Sequence, residues 1–229
     1  MSTMVELQAS DGHRLGAYVA EEGEPQAGLV IIQEIFGVNS HIRSVADGFA
    51  RDGYCAIAPA LFDRAEKDLQ LAYVPEDTNR GRDIAQQIGI DNMLLDVAAA
   101  LEYAAQRFGP QKVGVVGYCL GGTLAWLAAT RHSPAAAVGY YGGRISQYAS
   151  EQPRCPVMLH FGANDPHIPS SEITIVRNAH PDLPIYLYDA GHGFNCDQRK
   201  DYAPVAARIA RERTLGFLAH HVARTSRAA

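Results

Sequence analysis

Four cysteines in 229 residues are too few to make a disulfide framework, and Cys55, Cys119, Cys155 and Cys196 form no C-x-x-C pair. That usage fits a reducing compartment where one thiol can be reactive, so a cytoplasmic protein is expected. No apolar run approaches the ~18 residues of a membrane span. The opening stretch MSTMVELQASDG also lacks the apolar core of a signal peptide. Positive charge is not in excess. The formal net charge is −5, which argues against nucleic acid or an anionic membrane as partner. No G-x-G-x-x-G follows the early strand patterns, which disfavours a nucleotide fold. No cluster of His, Cys or carboxylates falls at zinc-ligand spacing, so no metal is expected. Internal repeats and low-complexity segments are missing as well.

What is present is an ordinary globular composition, 47% hydrophobic and 20% charged. A chain of this length buries roughly 70–75% of its unfolded surface and needs no metal or disulfide to hold it. One domain over residues 1–229 is expected, because α/β folds often run to about 200–250 residues as a unit.

The pattern around which the rest is arranged runs from Lys112 to Ala129, KVGVVGYCLGGTLAWLAA. Val113, Val115 and Val116 read as a buried strand, and Thr123 to Ala129 as a helix. Between them Gly117-Tyr118-Cys119-Leu120-Gly121 has small–x–nucleophile–x–small spacing, a nucleophile elbow with Cys119 in the nucleophile position. Glycines two before and two after let neighbouring backbone pass a strained bend. The helix that starts there aims its N–H groups at the sulfur.

Along the chain, 4–19 reads as a hairpin about Ser10-Asp11-Gly12-His13, and 29–32 as a central strand. A helix follows with Ile42, Val45, Ala46, Phe49 and Ala50 on one face, Ser40 as N-cap and Gly53 as C-cap. A strand at 55–58, a charged loop with some helix over 61–90, and a helix carrying Leu94, Val97, Leu101, Ala105 and Phe108 come next. Strands at 135–141, 156–161 and 185–188 alternate with helices at 170–179 and 202–222. Such alternation implies βαβ units, hence an α/β fold with a mostly parallel central sheet and helices on both faces. Ligands bind such sheets at the carboxyl ends of the strands.

That rule selects Asp165, after the 156–161 strand, and His192, after the 185–188 strand. Cys119, Asp165, His192 is the nucleophile–acid–base order of α/β-hydrolases. His192 would take the thiol proton, and Asp165 would hold the imidazole in the right tautomer. The backbone N–H groups of Leu120 and Ile35 are the candidate oxyanion hole, which puts Glu34 beside the sulfur. His160 reads as a core or interface histidine. His13, His41, His132, His180, His220 and His221 read as surface groups, and His167 is too near Asp165 in sequence to face it across a site.

Five stretches carry a resemblance: Gln33-Glu34-Ile35-Phe36-Gly37, Gly117 to Gly122, Val138-Gly139-Tyr140-Tyr141-Gly142, Gly162-Ala163-Asn164-Asp165, and Ala190-Gly191-His192-Gly193-Phe194. In this order they resemble the dienelactone hydrolase (carboxymethylenebutenolidase-like) family. The likeness runs from Asp11-Gly12-His13 to Glu212-Arg213-Thr214-Leu215. The resemblance implies an α/β-hydrolase fold and hydrolysis of a small enol-lactone to a 2-oxo acid without cofactor. It also implies a resting thiol bonded to Glu34 and released to His192 by substrate. Phe36, Tyr140, Phe194, Cys196, Arg80 and Arg82 are the candidate substrate contacts it suggests. In one respect the chain departs from the family: the arginine that family members place four residues after the catalytic histidine is Cys196 here. A monomer or weak homodimer is expected.

Two other readings use the same residues. A general carboxylesterase or thioesterase on an uncharged acyl substrate needs only the triad. A thiol redox sensor would use Cys119 with Cys196 and would need neither Asp165 nor His192.

Overall fold

The apolar runs at 29–32 and 113–116 become the middle of an eight-stranded sheet in the computed structural model, which describes residues 1–222. Residues 223–229 of the expected domain lie outside that range. Strands β1 (Ser2–Gln8) and β2 (Arg14–Ala20) form the expected hairpin. Strands β3 (Ala27–Ile32), β4 (Tyr54–Pro59), β5 (Val113–Tyr118), β6 (Ala136–Tyr140), β7 (Val157–Gly162) and β8 (Ile185–Tyr188) follow. Their spatial order is β1-β2-β4-β3-β5-β6-β7-β8, antiparallel at the two β2 pairings and parallel elsewhere. Every residue of β3, β4, β5, β6 and β7 is buried. This is why these strands read as continuous rather than alternating apolar runs.

The helices are α1 (Ser40–Arg51), α2 (Pro75–Ile88), α3 (Ile90–Phe108), α4 (Leu120–Arg131), α5 (Ser170–Ala179) and α6 (Pro204–His221). Helices α3 and α4 pack together over β3 and β5. On the other face α1 covers β2, β3 and β4, and α6 covers β6 and β7. Arg211 of α6 ties these last two helices by pairing with Asp52 and lying over the Phe49 ring. No helix of the described residues is long and apolar enough to cross a membrane.

Several local expectations are corrected. The α1 N-cap is Asn39, whose side chain accepts from the Ile42 N–H at 3.2 Å; Ser40 is already the first helical residue. Its C-cap is Asp52, and Gly53 follows with φ of +89°, where glycine is the cheap residue. In the charged 61–90 stretch the helix expected within the loop runs for 14 residues. The stretch holds a short 3-10 turn at Leu61–Arg64 and all of α2, which Pro75 begins and Gly89 ends. His41 and His180 are buried rather than surface groups, held by Asp197 and by the Ala149 carbonyl.

Candidate active site

The β5 strand ends at Tyr118, and Cys119 takes φ 54° and ψ −112° before α4 begins at Leu120. A non-glycine residue pays strain in this region and persists there only when its surroundings over-determine it. The Cys119 N–H bonds the Tyr140 carbonyl at 3.0 Å, and its own carbonyl accepts from Gly122 and Thr123. Gly121 completes the bend: a Cβ there would stand 2.3 Å from the Ile32 carbonyl oxygen. Only glycine lets α4 approach β3 this closely. The bend lifts the sulfur onto the carboxyl edge of the sheet.

At that edge three side chains from three strand ends form one chain of hydrogen bonds. Asp165 Oδ2 lies 2.7 Å from His192 Nδ1, and His192 Nε2 lies 3.2 Å from Cys119 Sγ. The second Asp165 oxygen accepts from the His167 backbone N–H at 2.8 Å, which fixes the carboxylate. Burial disfavours a protonated His192, but the Cys119 sulfur and the Asp165 carboxylate outweigh it and push its pKa up to about 10. Tyr141, in the left-handed region at φ 39°, sets its ring edge-on to His192 at 5.2 Å.

The sulfur faces a cavity of about 510 Å³, within the range of small-ligand sites. Ile35, Phe36 and Leu120 line one part of it, with Arg82, Arg144, His167 and Arg199 around them. As first residue of α4, Leu120 has no intrahelical acceptor for its N–H. Helix α2 reaches the cavity because Gly81 lies against the Ile35 carbonyl, where a Cβ would stand 1.9 Å from the oxygen. The next residue, Arg82, is thereby put on the cavity wall.

The structure brings Cys119, Asp165, His192, Ile35, Leu120, Phe36 and Arg82 to one place, and it separates others expected there. Arg80 is paired with Glu66 at the surface, two residues and half a helical turn from Arg82. Tyr140 is buried, with its hydroxyl 2.7 Å from Thr214 Oγ1 under α6; the neighbouring Tyr141 turns toward the site instead. Phe194 is fully buried among Tyr140, Tyr141 and Tyr188. Cys196 is also fully buried and lines no part of the cavity.

Glu34 is close but differently engaged. The sulfur's hydrogen-bond partner is His192, while Glu34 Oε2 accepts from the Tyr73 hydroxyl at 3.1 Å. Its other oxygen has no hydrogen-bond partner and stands 3.7 Å from Arg199 Nη1. Arg199 was not visible as a site residue in the sequence. It follows His192 by seven positions, in an irregular segment with no periodicity to place it. Its guanidinium lies 5.9 Å from the Phe36 ring and 5.8 Å from the Tyr73 ring. His160, as expected, is a satisfied core group, bonded to the Tyr188 hydroxyl and to Thr214. Burial holds its pKa down at about 3.

One group escaped the spacing argument against metal ligands. Glu34 and His41, seven residues apart, converge with the sequence-distant Cys196, their ligand atoms lying within 4.8 Å of one another.

The sequence model of the dienelactone hydrolase family matches residues 15–222. A carboxymethylenebutenolidase of Pseudomonas putida is 35% identical over 94% of this chain and 95% of its own length. Carboxymethylenebutenolidase 1 of Cupriavidus pinatubonensis is 31% identical over 96% and 97%. Among solved structures, a dienelactone hydrolase-like promiscuous phosphotriesterase from metagenomic libraries superposes with a TM-score of 0.75. It covers 96% of this chain and 98% of its own at 21% identity, a likeness of fold.

Proposed function

The chain belongs to the dienelactone hydrolase family and is a hydrolase of ester or lactone bonds, and from that premise we propose that it opens a small carboxylated enol-lactone through Cys119, His192 and Asp165. The observation that carries the reading is the continuous Asp165–His192–Cys119 hydrogen-bond chain on the cavity wall.

His192 Nε2 holds the proton given up by Cys119 in the resting site, and the sulfur adds to the lactone carbonyl. The N–H groups of Leu120 and Ile35 receive the developing oxyanion. Collapse breaks the ring C–O bond, and His192 gives its proton to the departing enol oxygen, which tautomerises to the ketone. A water molecule deprotonated by His192 then releases the acid from Cys119. An enol is a good leaving group, which suits a sulfur nucleophile. Thiolates expel amines and simple alkoxides less readily, so peptides are poor substrates.

Arg199 and Arg82 on the same wall receive the substrate carboxylate, by charge-assisted and fork-shaped contacts. Their placement favours an anionic lactone over the uncharged ester of the alternative reading. The free cysteines support a cytoplasmic setting.

The test is steady-state hydrolysis of a carboxymethylene-substituted butenolide by wild type, Cys119→Ala and His192→Ala. Each substitution is expected to remove turnover while the circular dichroism spectrum is unchanged. Near wild-type turnover by Cys119→Ala would refute the mechanism.

A further inference from the structure

Behind the Arg199 wall, three polar side chains meet in the protein interior, and two of them carry a buried atom with no hydrogen-bond partner. Glu34 Oε1 and His41 Nε2 are both buried and both lack any hydrogen-bond partner. Leaving such atoms unpaired is unfavourable, and the Arg199 guanidinium at 3.7 Å from Glu34 Oε1 is too far to be a hydrogen bond, so a group that satisfies both atoms is expected between them. Cys196 Sγ completes the cluster, and the three atoms lie within 4.8 Å of one another.

The surroundings match those of a metal ligand set. His41 Nδ1 is 3.2 Å from Asp197 Oδ1, so the ring donates there and turns its lone pair at Nε2 inward. A carboxylate behind a histidine is the usual outer partner of a metal-bound imidazole. Glu34 is likewise oriented from behind, by the Tyr73 hydroxyl on its other oxygen. Tyr73 is itself held by Asn39 at 3.2 Å.

We infer that Glu34 Oε1, His41 Nε2 and Cys196 Sγ form a site for a zinc-like divalent cation. Thiolate, imidazole and carboxylate together select a borderline-soft ion over magnesium or calcium. Tetrahedral ligands at about 2.0–2.3 Å from zinc stand roughly 3.3–3.8 Å apart, so the cluster needs to tighten by about an ångström. Binding releases the Cys196 thiol proton to solvent. The thiolate and the Glu34 carboxylate then neutralise the ion, which makes it tolerable beside Arg199. The site joins three segments: the loop carrying Ile35, the start of α1, and the stretch that follows His192. A bound ion would staple the Ile35 and His192 segments together. This inference is independent of the role given to Cys119.

The experiment uses Cys119→Ala protein, so that the triad cannot offer a competing sulfur ligand. Stripped with chelator and titrated with Co²⁺, it is expected to take up a single equivalent and develop thiolate-to-cobalt charge-transfer absorption in the near ultraviolet. The band is expected to vanish when Cys196→Ala is added and to weaken severely with His41→Gln. Zn²⁺ is expected to raise the melting temperature of the Cys119→Ala protein and leave the Cys119→Ala/Cys196→Ala protein unchanged. No band in the Cys119→Ala protein, a band that survives Cys196→Ala, or an equal Zn²⁺ shift in both proteins overturns the site. Loss of enzyme activity is not read, so failure here leaves the proposed reaction untouched.

Discussion

Arg199 Nη1 stands 3.7 Å from Glu34 Oε1, with its guanidinium facing the adjacent rings of Phe36 and Tyr73 and on the wall of the cavity that Cys119 faces. The contact is longer than a hydrogen bond, so the guanidinium keeps donors free for a ligand while Glu34 holds it in place. It also changes the meaning of Cys196. The missing arginine at that position does not leave the cavity without a cation, because a residue three places later supplies one.

Removing Arg199 is therefore expected to act on charged substrates alone. A charge-assisted contact to a carboxylate contributes roughly 1.5–3 kcal/mol, or about 10- to 100-fold in affinity. Arg199→Gln is expected to raise KM for a carboxylated lactone by that factor and to leave KM for p-nitrophenyl acetate nearly unchanged. Equal KM changes on both substrates would show that Arg199 shapes the site rather than binding the carboxylate. Cys196→Arg, by contrast, is expected to damage packing without improving binding, because that side chain is fully buried away from the cavity.

His192 is expected to hold its proton through neutral pH. Its pKa is pushed up to about 10 against the effect of burial, by the Cys119 sulfur first and then by Asp165. Following the ring resonances by NMR across pH should place the transition far above the ordinary value of about 6.5. Cys119→Ala and Asp165→Asn should each bring it down. A wild-type transition near 6.5 would mean that burial outweighs both partners.

A third prediction concerns Arg64 and Asp96, which meet through two hydrogen bonds of 2.7 Å. Asp96 is fully buried in α3, and burial pushes its pKa up while Arg64 works against the rise. Arg64→Met strands that carboxylate and is expected to cost about 3–5 kcal/mol in urea unfolding. Arg64→Met/Asp96→Leu removes both charges and is expected to recover most of the loss. A double variant as unstable as the single one would assign the cost to packing of the arginine stem.

The same pair shows where the sequence could be read and where it could not. Strands such as 29–32 and helices such as 170–179 were legible because burial on both faces or on one face imposes a period on neighbouring residues. Cys119, Asp165 and His192 were legible because each follows a strand in an ordered fold, so topology converts chain order into proximity. Asp96 sits inside a helical apolar pattern whose partner lies 32 residues away, and no local period marks such a pair. Arg199, and the convergence of Glu34 with His41 and Cys196, failed to show for the same reason. Tyr140 was misplaced because a strand alternates its faces, so that only Tyr141 can turn toward His192. The α2 helix was blurred because it is largely polar, its buried residues being Gly81, Ile84 and Ile88.

The last prediction is the acid limb of stability, and it rests on His160. Burial holds this imidazole neutral, with its pKa down at about 3, while in the unfolded chain it titrates near 6.5. The native state therefore binds fewer protons than the unfolded state between those values, and stability falls as the pH is lowered through the window. The stability is fully present above about 6.5 and costs roughly 1.4 kcal/mol for each pH unit below it. His192 has the opposite sign. Its raised pKa gives stability that is complete below about 6.5 and is lost as pH rises toward 10, so it does not contribute to the acid limb. His132 and His167 are also held down, chiefly by burial, and the comparison must cancel them. His160→Gln does so, because amide groups can still meet the Tyr188 and Thr214 hydroxyls without taking up a proton. Urea unfolding at pH 7, 6, 5 and 4 is expected to show the wild type losing stability more steeply than His160→Gln, by about 1.4 kcal/mol per pH unit. Parallel slopes for the two proteins would mean that His160 is protonated in the fold at those pH values, which its two hydroxyl partners and complete burial argue against.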